Sequence, residues 1–169
     1  MPEVSIFTMI DQRAFRSCLG SIPTGVTVVT AQTPDHELVG VTVNSFSSVS
    51  RDPPLVLFSL NRTLRSLPAF DRCSHFAVNV LREDQDSIES HFARPSEDKW
   101  AGIAFVEHDT GAPIFENAIA WFACDRYAKY DGGDHEIIVG RVVATGHDED
   151  ALPLVFHRGR FHRFSQFGS

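Results

Sequence analysis

The sequence predicts a mainly β protein, a closed or partly closed antiparallel barrel with a few short flanking helices. Three observations lead there. Short β-branched and aromatic runs recur along the chain, hairpin-type turns separate them, and the regular intervening helices of a parallel doubly wound sheet are missing.

Each element can be justified in turn. Ile10 to Leu19 places Ile10, Ala14, Phe15, Cys18 and Leu19 on one helical face, with Asp11 favouring its start and Gly20 its stop. The turn Ser21-Ile22-Pro23-Thr24-Gly25 leads into Val26 to Thr30, whose β-branched residues read as a buried strand. Pro34-Asp35-His36 turns the chain into a second strand, Leu38 to Asn44. Asp52-Pro53-Pro54 lies outside any central strand, because proline lacks the ladder donor, and Leu55 to Leu60 is the third strand. A short helix around Thr63 to Phe70 precedes a fourth strand, Phe76 to Leu81, and Asp84 to His91 reads as a helix. Ala118 to Asp125 and Glu136 to Thr145 are strands on either side of the glycine-rich turn Asp131-Gly132-Gly133-Asp134. Leu154 to His157 and Arg160 to Phe164 flank Arg158-Gly159, as a closing pair or as one bent strand. Val26, Val28, Val41, Val43, Leu55, Leu57, Val78, Val80, Ile138 and Val142 are the expected core positions of these strands.

Composition bounds the function. The 169 residues are 43% hydrophobic and 22% charged with no linker, which predicts one domain over residues 1–169. A net charge of −7 disfavours a general nucleic-acid binder, and no apolar run approaches the roughly 20 residues of a membrane helix. Cys18, Cys73 and Cys124 are too dispersed for a disulfide framework, and Met1-Pro2-Glu3-Val4 lacks the basic start of a signal peptide. A cytoplasmic protein is therefore expected.

The familiar cofactor motifs are missing. No GxGxxG follows a strand, and neither GxxxxGK[ST] nor HExxH occurs. The eight histidines show no metal-ligand spacing, so no metal is expected. His157 and His162, five apart, fall on opposite faces of a straight strand and are expected to be exposed or hydrogen-bonded. The segment Val41 to Leu55 runs from a strand into hydroxyl- and amide-rich residues around Phe46, expected as a loop. Such a loop suits a planar heteroaromatic ring with a polyol and phosphate tail, or a solvated turn. Phe46 is either a core plug or a pocket wall. Gly132-Gly133-Asp134-His135 reads as a tight hairpin turn, or as a rim that presents His135 to a substrate. Arg62, Arg65 and Ser66 either hold a phosphate at a helix start or are simply exposed, and Phe92-Ala93-Arg94 has the same standing.

Taken together, the segments resemble the flavin reductase-like family, the reductase component of two-component flavin monooxygenases. The resemblance runs roughly from Phe15 to Phe164. It is carried in order by Pro23-Thr24-Gly25-Val26-Thr27-Val28-Val29-Thr30, Thr42-Val43-Asn44-Ser45-Phe46-Ser47-Ser48-Val49-Ser50 and Asp52-Pro53-Pro54-Leu55-Val56. Phe76-Ala77-Val78-Asn79-Val80-Leu81, Gly133-Asp134-His135, Pro153-Leu154 and Arg158-Gly159-Arg160-Phe161 complete it. Each is weak alone; their order and spacing make the signal.

The resemblance implies an FMN-binding, Greek-key-like split β-barrel that forms a homodimer. It would bind FMN or FAD, oxidise NADH, the family's commoner donor, or NADPH, and pass reduced flavin to a separate oxygenase. It implies that Pro23, Thr24, Gly25, Val26, Thr42, Val43, Asn44 and Ser45 line the isoalloxazine, and that Ser48, Val49 and Ser50 extend the cradle toward the tail. Ser59, Asn61, Ser66 and Arg65 or Arg94 would complete the tail region. His135 would meet the nicotinamide nucleotide, with Asp134 orienting it or the turn. Leu64 departs from the pattern, standing where a small polar residue would serve a phosphate. A flavin- or haem-binding module of similar fold that does not turn over NAD(P)H is the alternative reading, and reduction of iron or another acceptor through the flavin is a third.

Overall fold

The structure, a computed structural model, describes residues 10–94 and 98–164. In chain order its elements are α1 (Gln12–Gly20), β1 (Thr24–Gly25), β2 (Thr27–Gln32), β3 (Leu38–Val43), β4 (Ser47–Arg51) and β5 (Pro54–Asn61). Then come α2 (Leu67–Asp71), β6 (His75–Val80), α3 (Asp86–Ala93), β7 (Phe105–Glu107) and β8 (Pro113–Phe115). The chain closes with β9 (Ala120–Gly132), β10 (His135–His147), β11 (Leu154–His157) and β12 (Arg160–Arg163).

Seven strands form one antiparallel sheet in the order β3-β2-β6-β9-β10-β5-β4. The sheet is split rather than closed, since β3 and β4 are its two unpaired ends. Across the split, Ser45 makes a side-chain staple: its hydroxyl accepts from the Ser59 N–H at 2.9 Å and donates to the Ser59 carbonyl at 3.3 Å. A three-stranded sheet, β1-β11-β12, and the β7-β8 pair complete the β architecture. Among the described residues, no helix is long and apolar enough to cross a membrane.

Burial explains the sequence runs. Strand β2 is covered on both faces: Val29 and Ala31 enter one cluster with Val41, Phe58 and Phe76, whereas Val28 enters another with Leu81, Phe92 and Leu154. A strand buried on both faces cannot alternate, hence Val26 to Thr30. Phe58 anchors the first cluster, with edge-on contacts to Phe70 at 5.9 Å and Phe76 at 5.1 Å. Asn79 is a buried polar exception. It donates to the Val28 carbonyl at 3.2 Å and accepts from the Phe115 N–H at 2.9 Å, pinning β8 to the main sheet.

Several expectations are corrected. In β5 the buried residues are Val56, Phe58 and Leu60, and Leu55 and Leu57 are half-buried. The run is apolar at nearly every position, so pattern alone could not say which parity faces the core. Val80 and Val142 are likewise half-buried, whereas Val26, Val28, Val41, Val43, Val78 and Ile138 are core. Residues 47–51, expected as loop, form edge strand β4, with a bulge between Ser48 and Ser50. Pro54 opens β5, where a missing N–H is tolerated. The helix expected over 63–70 is confined to α2, because Asn61 Oδ1 accepts from the Thr63 N–H at 2.8 Å and holds a turn instead. Helix α1 forms, capped by Asp11, which accepts from the Arg13 N–H at 2.9 Å, but it buries no residue.

The two predicted hairpin turns are both tight. Gly133, at φ 77°, and Asp134 connect β9 to β10, where a glycine at the first central position gives the twist that antiparallel strands need. Arg158, at φ 50°, and Gly159, at φ 74°, join β11 to β12, which makes them a closing pair and not one bent strand. That hairpin brings His157 and His162 to the same face, with ring centroids 6.1 Å apart, contrary to the opposite faces expected of a straight strand.

Candidate functional site

The carboxyl end of β3 opens onto a cavity of about 810 Å³. The turn after β5 forms one side with Thr63, Leu64, Arg65 and Ser66, and α3 with its following segment supplies Phe92, Lys99 and Trp100. Phe156 and Phe161 of the β11-β12 hairpin add a tilted aromatic pair, 5.3 Å between centroids. A second cavity of about 480 Å³ lies on the other side of the same β3 residues and reaches Ser59, Asn61 and His135. Val41, Thr42, Asn44 and Leu64 border both, so the two cavities adjoin along this wall.

Local chemistry fixes these walls. Thr42 donates its hydroxyl to the Glu89 carbonyl at 3.1 Å, tying β3 to α3. Gly40 lets that helix approach: a Cβ there would lie 2.4 Å from Cε1 of Phe92. Lys99 donates to the Phe92 carbonyl at 3.0 Å, and Trp100 Nε1 to the Leu38 carbonyl at 3.1 Å. Burial lowers the Lys99 pKa from the ordinary lysine value. The Asn61 carboxamide oxygen accepts the hydroxyl as well as the N–H of Thr63, at 2.6 and 2.8 Å, and so shapes the turn beneath the cavity.

Of the residues singled out from sequence, Val26, Thr42, Asn44, Arg65 and Ser66 border the larger cavity. Thr42, Val43, Asn44, Ser45, Ser59, Asn61 and His135 border the smaller one. The rest lie outside both linings. Pro23 and Gly25 are exposed beside Thr24, which pairs with the lining residue Phe156 and whose buried hydroxyl has no hydrogen-bond partner among the described residues. Ser48, Val49 and Ser50 sit on edge strand β4, Arg94 is exposed at the end of α3, and Asp134 is exposed at the hairpin tip. Arg62 is also diverted from the cavity: its guanidinium bonds to Asp131, Gly133 and Glu136. Phe46 packs on the core and stacks against Phe122 at 5.3 Å, so it is a plug.

Sequence reasoning missed Gly40, Glu89, Lys99, Trp100, Phe156 and Phe161 as lining residues. The segment around Lys99 and Trp100 follows no strand or helix period. The Trp-adjacent basic residue was its one usable signal.

The hairpin side carries its own polar pair. The Asp134 carboxylate lies 2.7 Å from His135 Nδ1, and this hydrogen bond with the neighbouring imidazole holds the Asp134 pKa below the ordinary aspartate value.

The donor set suits a flavin. An apolar and aromatic slot can cover a planar tricycle, Asn44 can meet ring or ribityl polar atoms, and Arg65, Lys99 and Ser66 can meet phosphate. The comparisons agree. A flavin reductase-like domain model matches residues 19–165. An FMN reductase (NADH) of Agrobacterium fabrum is 46% identical over 168 residues, covering 98% of this chain and 95% of that protein. A reductase subunit of a flavin-dependent monooxygenase from Rhodococcus jostii is 41% identical, covering 90% and 77%. The solved NADH:FAD oxidoreductase of Streptomyces globisporus, in complex with NAD and FAD fragments, superposes with a TM-score of 0.87 at 36% identity, covering 94% of this chain and 96% of that one. Fold, cleft chemistry and relatives converge: this chain belongs to the flavin reductase-like family, NAD(P)H-dependent flavin reductases on a split β-barrel.

Proposed function

We propose that this protein oxidises NADH and reduces FMN or FAD in the cleft between β3, the 61–66 turn and the β9-β10 hairpin, for use by a separate monooxygenase. The observation that carries the reading is that Thr42 and Asn44 border both adjoining cavities, with His135 lining the smaller one. The larger cavity has the volume and the aromatic and cationic lining for a flavin, and the smaller leaves room for a nicotinamide beside it. Bound flavin supplies the hydride acceptor.

The chain's residues bind and orient. Thr42 and Asn44 position the ring, Arg65, Ser66 and Lys99 neutralise the phosphate, and His135 contacts the nicotinamide nucleotide. Hydride transfer needs reacting atoms stacked about 3–3.5 Å apart, so the protein's part is placement. No side-chain proton donor is required for that step. A homodimer is part of this reading: Phe15, Leu19 and Ile22, on and just after α1, are exposed and would be covered by a second copy.

Two substitutions test the assignment. Asn44→Ala weakens flavin binding roughly tenfold, about 1.4 kcal/mol, with fluorescence quenching as the readout. His135→Ala raises the KM for NADH and leaves flavin affinity near normal. Wild-type flavin affinity in Asn44→Ala would remove the ring site from this cleft.

A further inference from the structure

Arg62 opens the turn after β5, and among the described residues its hydrogen bonds all run to the adjacent β9-β10 hairpin. Its Nε donates to the Gly133 carbonyl at 2.9 Å, Nη1 to the Glu136 carboxylate at 3.1 Å and Nη2 to the Asp131 carboxylate at 2.7 Å. Its backbone N–H donates to the Asp134 carbonyl at 3.0 Å. Four of the residues around His135 are therefore held by one arginine.

The strand ladder holds the base of the turn, where His135 pairs with Gly132 and with Asn61, and Arg62 adds side-chain anchors beyond it. Gly132 and Gly133 have no side chains to pack, and Asp134 and His135 bond to each other at the exposed tip. Anchoring on the barrel side is firm, because the buried Glu136 is also bound by Lys129 at 3.0 Å. Lys129 bonds to Asp71 of α2 at 3.2 Å, and Arg126 bonds to the same carboxylate at 3.3 Å. Asp131 is 83% exposed, so its ion pair contributes little to stability. What the guanidinium provides is geometry: a planar, rigid fork holds a carbonyl and two carboxylates in fixed directions, where an ammonium is a rotatable point charge.

We infer that Arg62 is a positioning residue that fixes the Gly133-Asp134-His135 turn against the flavin-binding turn and thereby sets nicotinamide binding. The inference rests on the reading of His135 as the nicotinamide contact.

The test is steady-state NADH kinetics at saturating flavin for Arg62→Ala, Arg62→Lys, His135→Ala and the double variant Arg62→Ala/His135→Ala. Hydrogen exchange of residues 131–136 is followed in the single variants. Arg62→Ala is expected to raise the KM for NADH roughly fivefold, with flavin affinity and melting temperature near those of the wild type. Turn amides exchange faster, and Arg62→Lys recovers part of the loss. The double variant is no worse than His135→Ala alone, because Arg62 acts through His135. An unchanged KM in Arg62→Ala beside a raised one in His135→Ala overturns the inference alone. Additive losses overturn it too, since Arg62 would then act independently. An unaffected His135→Ala removes the nicotinamide reading and the inference with it.

Discussion

The Asp134 carboxylate and His135 Nδ1 are 2.7 Å apart at the tip of the β9-β10 hairpin, adjacent residues that bond side chain to side chain. With Nδ1 engaged, Nε2 is on the opposite side of the ring, and His135 borders the smaller cavity. The pair predicts a pH signature. The folded-state pKa of Asp134 is depressed below the ordinary 3.8, so the interaction is fully present above that value and is lost as pH falls through the lower one. A carbon-detected titration should find the Asp134 carboxyl titrating below 3.8, and His135→Ala should return it to the ordinary value. Equal midpoints in both proteins would show that the pair does not form.

Removing the charge while keeping the shape tests what the pair does for turnover. Asp134→Asn should raise the KM for NADH roughly two- to fivefold, the worth of weakening one charge-assisted hydrogen bond. Flavin affinity should not change, and initial rates at varied NADH separate the two effects.

Gly40 tests the wall of the larger cavity. A Cβ added there would lie 2.4 and 2.6 Å from two Phe92 ring carbons and 3.3 Å from Trp100 Cζ2. Phe92 cannot retreat, being fully buried and packed against Trp100 at 5.1 Å and Phe115 at 5.5 Å. Gly40→Ala should cost about 1–3 kcal/mol of stability, a drop in Tm of roughly 2–4 °C per kcal/mol. Flavin affinity should fall with it, because Gly40 and Phe92 both line the cavity.

The sequence displayed its strands unevenly. Val26 to Thr30, Leu38 to Asn44 and Phe76 to Leu81 were legible because burial along most of their length selects apolar and β-branched residues. Strand β4 was not, because Ser47, Ser48 and Val49 are exposed at a sheet edge and no core selects their side chains. Helix α1 shows the reverse: its amphipathic period was readable, but its apolar face lies open. Within the site, Thr42, Asn44 and His135 were found because they stand beside a strand end or a glycine turn. Lys99 and Trp100 were not, since they reach the cleft through a segment without regular structure. Arg62 was seen as a candidate phosphate ligand; only its hydrogen bonds to the hairpin reveal the other role.

Cys124 gives an alkaline signature independent of the cleft. Burial pushes its thiol pKa up from 9.0 to about 12. A raised folded-state value means that its contribution to stability is complete below pH 9 and is lost as pH rises toward 12. Denaturant unfolding between pH 8 and 11 should show the wild type losing up to about 1.4 kcal/mol per pH unit more than Cys124→Ala. Parallel pH profiles would contradict the buried thiol.

The central claim is that this cleft passes a hydride from NADH to flavin. Oxidation of NADH followed at 340 nm, with purified protein alone and with added FMN, FAD or riboflavin, tests it most directly. The account predicts flavin-dependent turnover that is weakened in His135→Ala at low NADH. No oxidation with any of the three flavins, with NADH and then NADPH, would contradict it.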